Sequence, residues 1–187
     1  MGRTQRYAGG NGKLTTVPML ETRVTHLEMR RRPPRVAMPT GPRLALMRAP
    51  GIPPAFYRWL YEQVGRPHHW QMRRGLDDAA LGAAIHDKAV EITVLYCDGA
   101  PAGFFEIGRA HMPAAAEIVY FGLLPDFQGR GLARYFLSEA VHAAFAHEPE
   151  KITLQTNTLD SPHALLLYQK AGFQPVGWSV ERIEAWE

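Results

Sequence analysis

The feature that most constrains this chain is a glycine-bearing turn, Phe127-Gln128-Gly129-Arg130-Gly131-Leu132-Ala133-Arg134, set between two apolar segments of different period. Residues 117–124 before it read as a buried strand, rich in β-branched and aromatic side chains. After it, Leu132, Phe136, Leu137, Ala140, Val141 and Ala144 recur on one face at helical spacing. A helix entered this way presents backbone N–H groups without internal partners, and its dipole adds a positive field at the same point. Gly129 and Gly131 let a ligand approach that backbone with no Cβ in the way. The guest this favours is an anion, a phosphate or pyrophosphate.

Three phosphate-binding patterns compete for the turn. A P-loop needs Gly-Lys-Ser/Thr at its end, which the chain does not supply. A dinucleotide fingerprint would put its third small residue on Arg134. The pattern that fits is Q/R-x-x-G-x-G/A, filled by Gln128, Gly131 and Ala133.

The surrounding sequence sets this turn in a mixed domain. Alternation suggests a strand over 20–29, and a Pro-rich connection follows at 32–42. Pro53 and Pro54 open a helix over 55–64 that Gly65 ends, and Asp77 or Asp78 caps a second one running to 87. Residues 91–97 and 102–107 form a hairpin about Asp98-Gly99. Beyond the central helix come a strand at 151–156, a helix capped by Ser161-Pro162 and stopped by Ala171-Gly172, and a strand over 173–183. The fold class is therefore α/β of the α+β type, a single domain.

A second block strengthens the reading of the turn. Ala164 to Phe173 carries the spacing A-x-x-x-Y-x-x-x-G-F, with Tyr168, Gly172 and Phe173. With these two blocks in this order, the sequence resembles the GNAT superfamily of acetyl-CoA-dependent N-acetyltransferases over about 90–176, and more loosely over 53–87. The resemblance implies a mostly antiparallel twisted sheet flanked by helices, with central strands that splay. Residues 20–46 do not match the general family template and read as a subfamily extension.

The resemblance also implies roles. Backbone amides of Gly129, Arg130, Gly131, Leu132, Ala133 and Arg134 would hold the CoA pyrophosphate, with Gln128 as the cofactor-binding residue that opens the motif, and Phe121, Gly122 and Leu123 would pair with pantetheine. Asn157 reads either as a contact to the cofactor arm or as a turn residue bonded to nearby backbone. Amide formation needs a neutral amine, so a base must take a proton. Glu117, eleven residues before Gln128, is the first candidate, sharing a face with Val119, Phe121 and Leu123 if no bulge intervenes; Glu106 is its rival. Tyr168, a phenol with a reference pKa of about 10, would protonate the departing thiolate, or else its hydroxyl is satisfied by a core carbonyl. Tyr57, Trp59, Tyr61, His68, His69 and Trp70 are candidates for an acceptor pocket.

Composition narrows the alternatives. The 187 residues carry one cysteine, Cys97, in an apolar run, which suits a core residue better than an acyl-carrying nucleophile. No apolar run approaches a membrane span and no signal-peptide core is visible, so a soluble, cytoplasmic protein is expected. The histidines form no metal signature, and no metal is expected. Residues 1–48 hold ten Arg or Lys against two Glu, a net +8, while 49–187 carry a net −5. This divides the chain into a basic, partly extended segment, loosely ordered over 1–13, and the acetyltransferase-like domain. No aromatic residues interleave with Arg30, Arg31 and Arg32 to stack on bases, so nucleic acid is not the expected partner. The expected activity is transfer of acetyl from acetyl-CoA to a primary amine of a small molecule or peptide. The competing reading is a silent CoA-binding or regulatory module.

Overall fold

The computed structural model describes residues 17–186, so the glycine-rich stretch at 1–13 lies outside the described residues. The elements run β1 (Met19–Met29), β2 (Leu44–Arg48), α1 (Pro54–Gly65), α2 (Asp78–Ile85), β3 (Val90–Cys97), β4 (Ala100–Gly108), β5 (Ala116–Leu123), α3 (Leu132–Phe145), β6 (Ile152–Asn157), α4 (Ala164–Ala171) and β7 (Gln174–Glu184). The seven strands form one sheet in the order β2-β3-β4-β5-β6-β1-β7. Every neighbouring pair is antiparallel except β5 with β6.

Local chemistry accounts for most boundaries. Asp98 and Gly99 take positive φ, 51° and 90°, which a tight β3–β4 hairpin requires. Asp77 caps α2 by accepting from the Ala80 N–H at 2.8 Å. The α4 boundary differs from expectation. Asp160 accepts from the Thr156 hydroxyl at 2.7 Å and the Asn157 N–H at 2.9 Å, tying back the turn after β6. Ser161 and Pro162 are spent in a further turn, and the helix starts at Ala164 with no side-chain cap.

Each face of the sheet has its own apolar layer. On one side Phe136, Leu137, Ala140, Val141 and Ala144 of α3 pack on Phe105, Ile107, Ile118 and Leu154. On the other, Tyr57, Leu60, Tyr61 and Val64 of α1, with Leu81 and Ile85 of α2, cover Ile92, Val94, Phe104 and Tyr120. Each such side chain, fully buried, contributes about 1.5–3 kcal/mol. Cys97 sits buried in the first layer, as expected of a core residue.

β5 carries a bulge that re-aims its side chains. Glu106 pairs with Tyr120 and Ile107 with Ile118, so Val119 is the extra residue. Val119 and Tyr120 therefore both lie in the α1 layer, whereas Ile118, Phe121 and Leu123 belong to the α3 layer. The uninterrupted alternation expected for Glu117, Val119, Phe121 and Leu123 does not hold. Glu117 lies between Ala116 and Ile118 of the α3 layer and points to the α1 side, away from Phe121 and Leu123.

β1 is the unexpected part of the architecture. It enters between β6 and β7, antiparallel to both, and becomes an internal strand. The Pro-rich connection that follows is packed against α3: Val36 N–H donates to Ser138 Oγ at 2.9 Å and Arg35 pairs with Glu139 at 2.8 Å. No helix among the described residues is long and apolar enough to cross a membrane.

The β4–β5 pairing also depends on a glycine. A Cβ at Gly103 would lie 2.4 Å from the Gly122 carbonyl oxygen, and backbone yields little. Gly103→Ala is expected to cost about 1–3 kcal/mol, read as a lower urea midpoint.

Candidate active site

β5 and β6 pair only at Ala116–Ile152, Glu117–Thr153 and Ile118–Leu154. Beyond those positions the two strands diverge, which matches the expected splay. The gap opens into a cleft of about 670 Å³ that runs from the N-terminus of α3 to β7.

One end of the cleft is the glycine turn. Gly129 and Gly131 both take left-handed φ, 72° and 76°, and a Cβ at either would meet nothing within 4 Å. Gly131 is the N-cap residue of α3 and no side chain caps the helix, so the first N–H groups stay available. Gln128 turns its side chain inward, donating from Nε2 to the Leu123 carbonyl at 3.1 Å. Gln128, Leu132, Ala133 and Arg134 line the cleft along with both glycines, as do Phe121, Gly122 and Leu123. Arg130 does not line it; its guanidinium lies over the Phe127 ring, 5.0 Å from the centroid.

Tyr168 lies in the middle of the cleft wall, 8 % exposed, its ring edge-on to Phe121 and Phe173. Among the described residues its hydroxyl makes no hydrogen bond, and no core carbonyl accepts from it. Burial, with a smaller contribution from the Asp160 charge, pushes the phenol above its ordinary range. Asn157 also lines the cleft, and its Oδ1 accepts from the Leu159 N–H at 2.8 Å. The turn-residue reading of Asn157 is the one its hydrogen bonds show, since Oδ1 also accepts from the Thr22 hydroxyl at 3.3 Å.

The two candidate bases sit beneath the cleft wall rather than on it. Glu106 is fully buried, and its oxygens are spent on the Tyr57 hydroxyl and the Arg73 guanidinium, each at 2.6 Å. Glu117 is half-buried, one residue before the bulge pair. Desolvation raises its carboxyl above the usual range, opposed by nearby His111 and reinforced by Glu106.

At the far end, Tyr61, His68, His69 and Trp70 line the cleft, while Tyr57 and Trp59 do not. Tyr57 is buried against Glu106 and Trp59 faces outward beside Phe56. Helical spacing separates them, since only one side of α1 meets the sheet. The segment after α1 crosses the cleft as a strap. His68 Nδ1 meets the Leu159 carbonyl at 3.1 Å, Gln71 Nε2 donates to the Glu184 carbonyl at 2.9 Å, and the Trp186 N–H donates to His69 Nδ1 at 2.8 Å.

Sequence reasoning missed the opposite wall. Val24 of β1 and Glu181 and Ile183 of β7 line the cleft. A period of two marks the β7 pair, but only the insertion of β1 decides which face they take. Among the described residues no group of three or more His, Cys, Asp or Glu is placed to hold a metal ion.

The site is a diverging strand pair beside an uncapped, glycine-led helix, and comparison gives its class. The family model for the acetyltransferase (GNAT) family matches residues 54–173. The chain belongs to that family, whose chemistry is acyl transfer; β1 and β2 precede the matched residues. The fold is similar to a GCN5-related N-acetyltransferase from Sphaerobacter thermophilus (TM-score 0.65, 15% identity, 89% of this chain and 52% of that one). It is also similar to a GCN5-related N-acetyltransferase from Kribbella flavida (0.61, 14%, 89% and 60%). A tandem GNAT protein from the clavulanic acid biosynthesis pathway matches as well (0.55, 19%, 91% and 55%). This chain thus spans between half and two thirds of the length of these three, and at such identities the likeness is one of fold. A search of curated proteins returned no match.

The buried cluster is structural in its energetics. Glu106→Ala strands the Arg73 charge and the Tyr57 hydroxyl, and is expected to destabilise the fold by about 3–5 kcal/mol in chemical denaturation.

Proposed function

We propose that the protein transfers the acetyl group of acetyl-CoA to a primary amine by direct attack in a ternary complex. The observation that carries this reading is the α3 N-terminus, uncapped and led by two left-handed glycines, opening onto the gap between β5 and β6. A diphosphate suits the free N–H groups and the helix dipole. Arg134, the one Arg or Lys along the cleft wall, adds charge at that end. Beyond Ile118 the β5 edge offers backbone groups to the amides of pantetheine, which replaces the missing strand pairing.

The chemistry follows from the residues along the gap. The amine must lose a proton before or as its nitrogen bonds to the thioester carbon. Glu117 takes that proton through water, its raised carboxyl pKa making it a stronger base than an ordinary glutamate. The tetrahedral intermediate then expels the CoA thiolate. Tyr168, held protonated by its burial, donates the hydroxyl proton to sulfur and recovers one from solvent. Cys97 is buried in β3 and outside the cleft, which favours direct transfer over an acyl-cysteine route.

Calorimetry with coenzyme A should give a one-to-one complex, and acetyl-CoA with an amine panel should release free thiol. Binding without release under any amine would make the protein a silent CoA-binding module instead. Tyr168→Phe should lower kcat about a hundredfold or more with coenzyme A affinity retained; unchanged turnover removes Tyr168 from the mechanism. For Glu117, kcat/KM should rise with pH through a limb above the ordinary glutamate value of about 4.3, because the base works deprotonated. Glu117→Gln should lower the rate and abolish that limb.

A further inference from the structure

The end of the cleft remote from the pyrophosphate carries an unbalanced charge. Glu181 lines it as an exposed residue, and among the described residues its carboxylate makes no hydrogen bond or ion pair. Asp160, the other carboxylate along the wall, is already bonded to Thr156 and Asn157. The basic residues nearest Glu181 in the β1–β7 ribbon, Arg23 and Arg182, alternate to the opposite face, and Arg182 faces Glu21 at 3.8 Å. His69 offers its Nδ1 lone pair to the Trp186 N–H, and Arg73, behind the wall, is neutralised by Glu106. Three aromatic rings also line the cleft: Trp70 lies 4.9 Å from Tyr120 and 5.4 Å from Tyr61, centroid to centroid. Aromatic faces with one free carboxylate are complementary to an alkylammonium.

A second polar group marks where the reacting amine lies. The Tyr120 hydroxyl is buried, its residue 6 % exposed, with the Tyr61 side chain as its polar neighbour, and it makes no hydrogen bond of ordinary length among the described residues, although Tyr120 lines the cleft. It stands on β5 at the gap, beside the bulge. Glu181 stands on β7, two strands beyond β6. At about 4.8 Å per strand, the three steps from β5 across β6 and β1 to β7 separate the two by on the order of 15 Å. That span is too long for Glu181 to deprotonate an amine attacking in the gap, and it suits a second charge on the same molecule.

We propose that the acceptor is an extended molecule with two amines, one reacting beside Tyr120 and the other held as an ammonium by Glu181. This rests on the acetyl-transfer reading only for the position of the reacting amine. The probes are a series of linear α,ω-diamines, the n-alkylamines of equal length, and the ω-amino acids of equal length. The wild-type protein should prefer a diamine over its alkylamine by about tenfold or more in kcat/KM, with an optimum at intermediate chain length. Glu181→Gln should erase that ratio. Glu181→Lys should shift preference toward the ω-amino acid, a gain that misfolding cannot produce. Equal use of diamine and alkylamine by the wild type, or a ratio that survives in Glu181→Gln, overturns the proposal. If no amine is acetylated, the transfer reading fails on its own, and calorimetry of the diamines on the protein saturated with coenzyme A decides this one. Heat that disappears in Glu181→Gln upholds it, and no heat overturns it.

Discussion

The rest of the structure depends on the short pairing between β5 and β6. Parallel strands that diverge after Ile118 and Leu154 leave facing N–H and C=O groups without partners, a cost a folded chain meets only where something else supplies the bonds. The strands are held apart by what flanks them. On the β5 side, β4 pairs along most of its length, and Val64 of α1 packs so closely on Gly122 that a Cβ there would lie 2.2 Å from it. On the β6 side, β1 pairs from Met29 to Val24 and carries β7 with it. The gap is therefore a property of the two half-sheets that flank it, and its backbone edges are left open.

The strap after α1 ties the half-sheets together at the acceptor end. Its inner anchor is the Arg73–Glu106–Tyr57 cluster, in which a buried carboxylate on β4 holds both α1 and the strap. Its outer anchors reach the loop after β6 and the end of β7. Buried ion pairs add little net stability over apolar packing, but removing one partner is costly. Glu106 thus fixes where Tyr61, Trp70 and Tyr120 stand, and the resulting wall is rigid.

Legibility in the sequence followed the range of the interactions. The turn at Gln128–Gly131, the α3 stripe and the β3–β4 hairpin are set by neighbours a few residues apart, and periodicity with turn chemistry was enough for each. The faces of β5 were not legible, because the Val119 bulge is fixed by pairing with β4 rather than by local alternation. The start of α4 was missed for a similar reason: Asp160 is drawn back to Thr156 and Asn157, which makes Ser161-Pro162 a turn. Glu181 was hidden most completely. Its face is set by Thr22, its partner on β1 from the opposite end of the chain.

The basic charge of the first 48 residues takes its meaning from that topology. Arg30 pairs with Glu28, Arg35 with Glu139, Arg43 with Asp98 and Arg48 with Glu91. Each pair is worth little on an exposed surface, and together they engage four of the segment's ten cations. The acidic body and the basic segment complement each other within one sheet, with Arg35 and Val36 fastened to the outer face of α3. What the segment delivers to the cleft is a wall: β1 supplies Val24 directly and positions β7, which adds Glu181 and Ile183. Without β1, the β6 edge would lose the partner that runs from Val24 to Met29 and β7 the strand it pairs with, so the wall opposite Trp70 would lose its support.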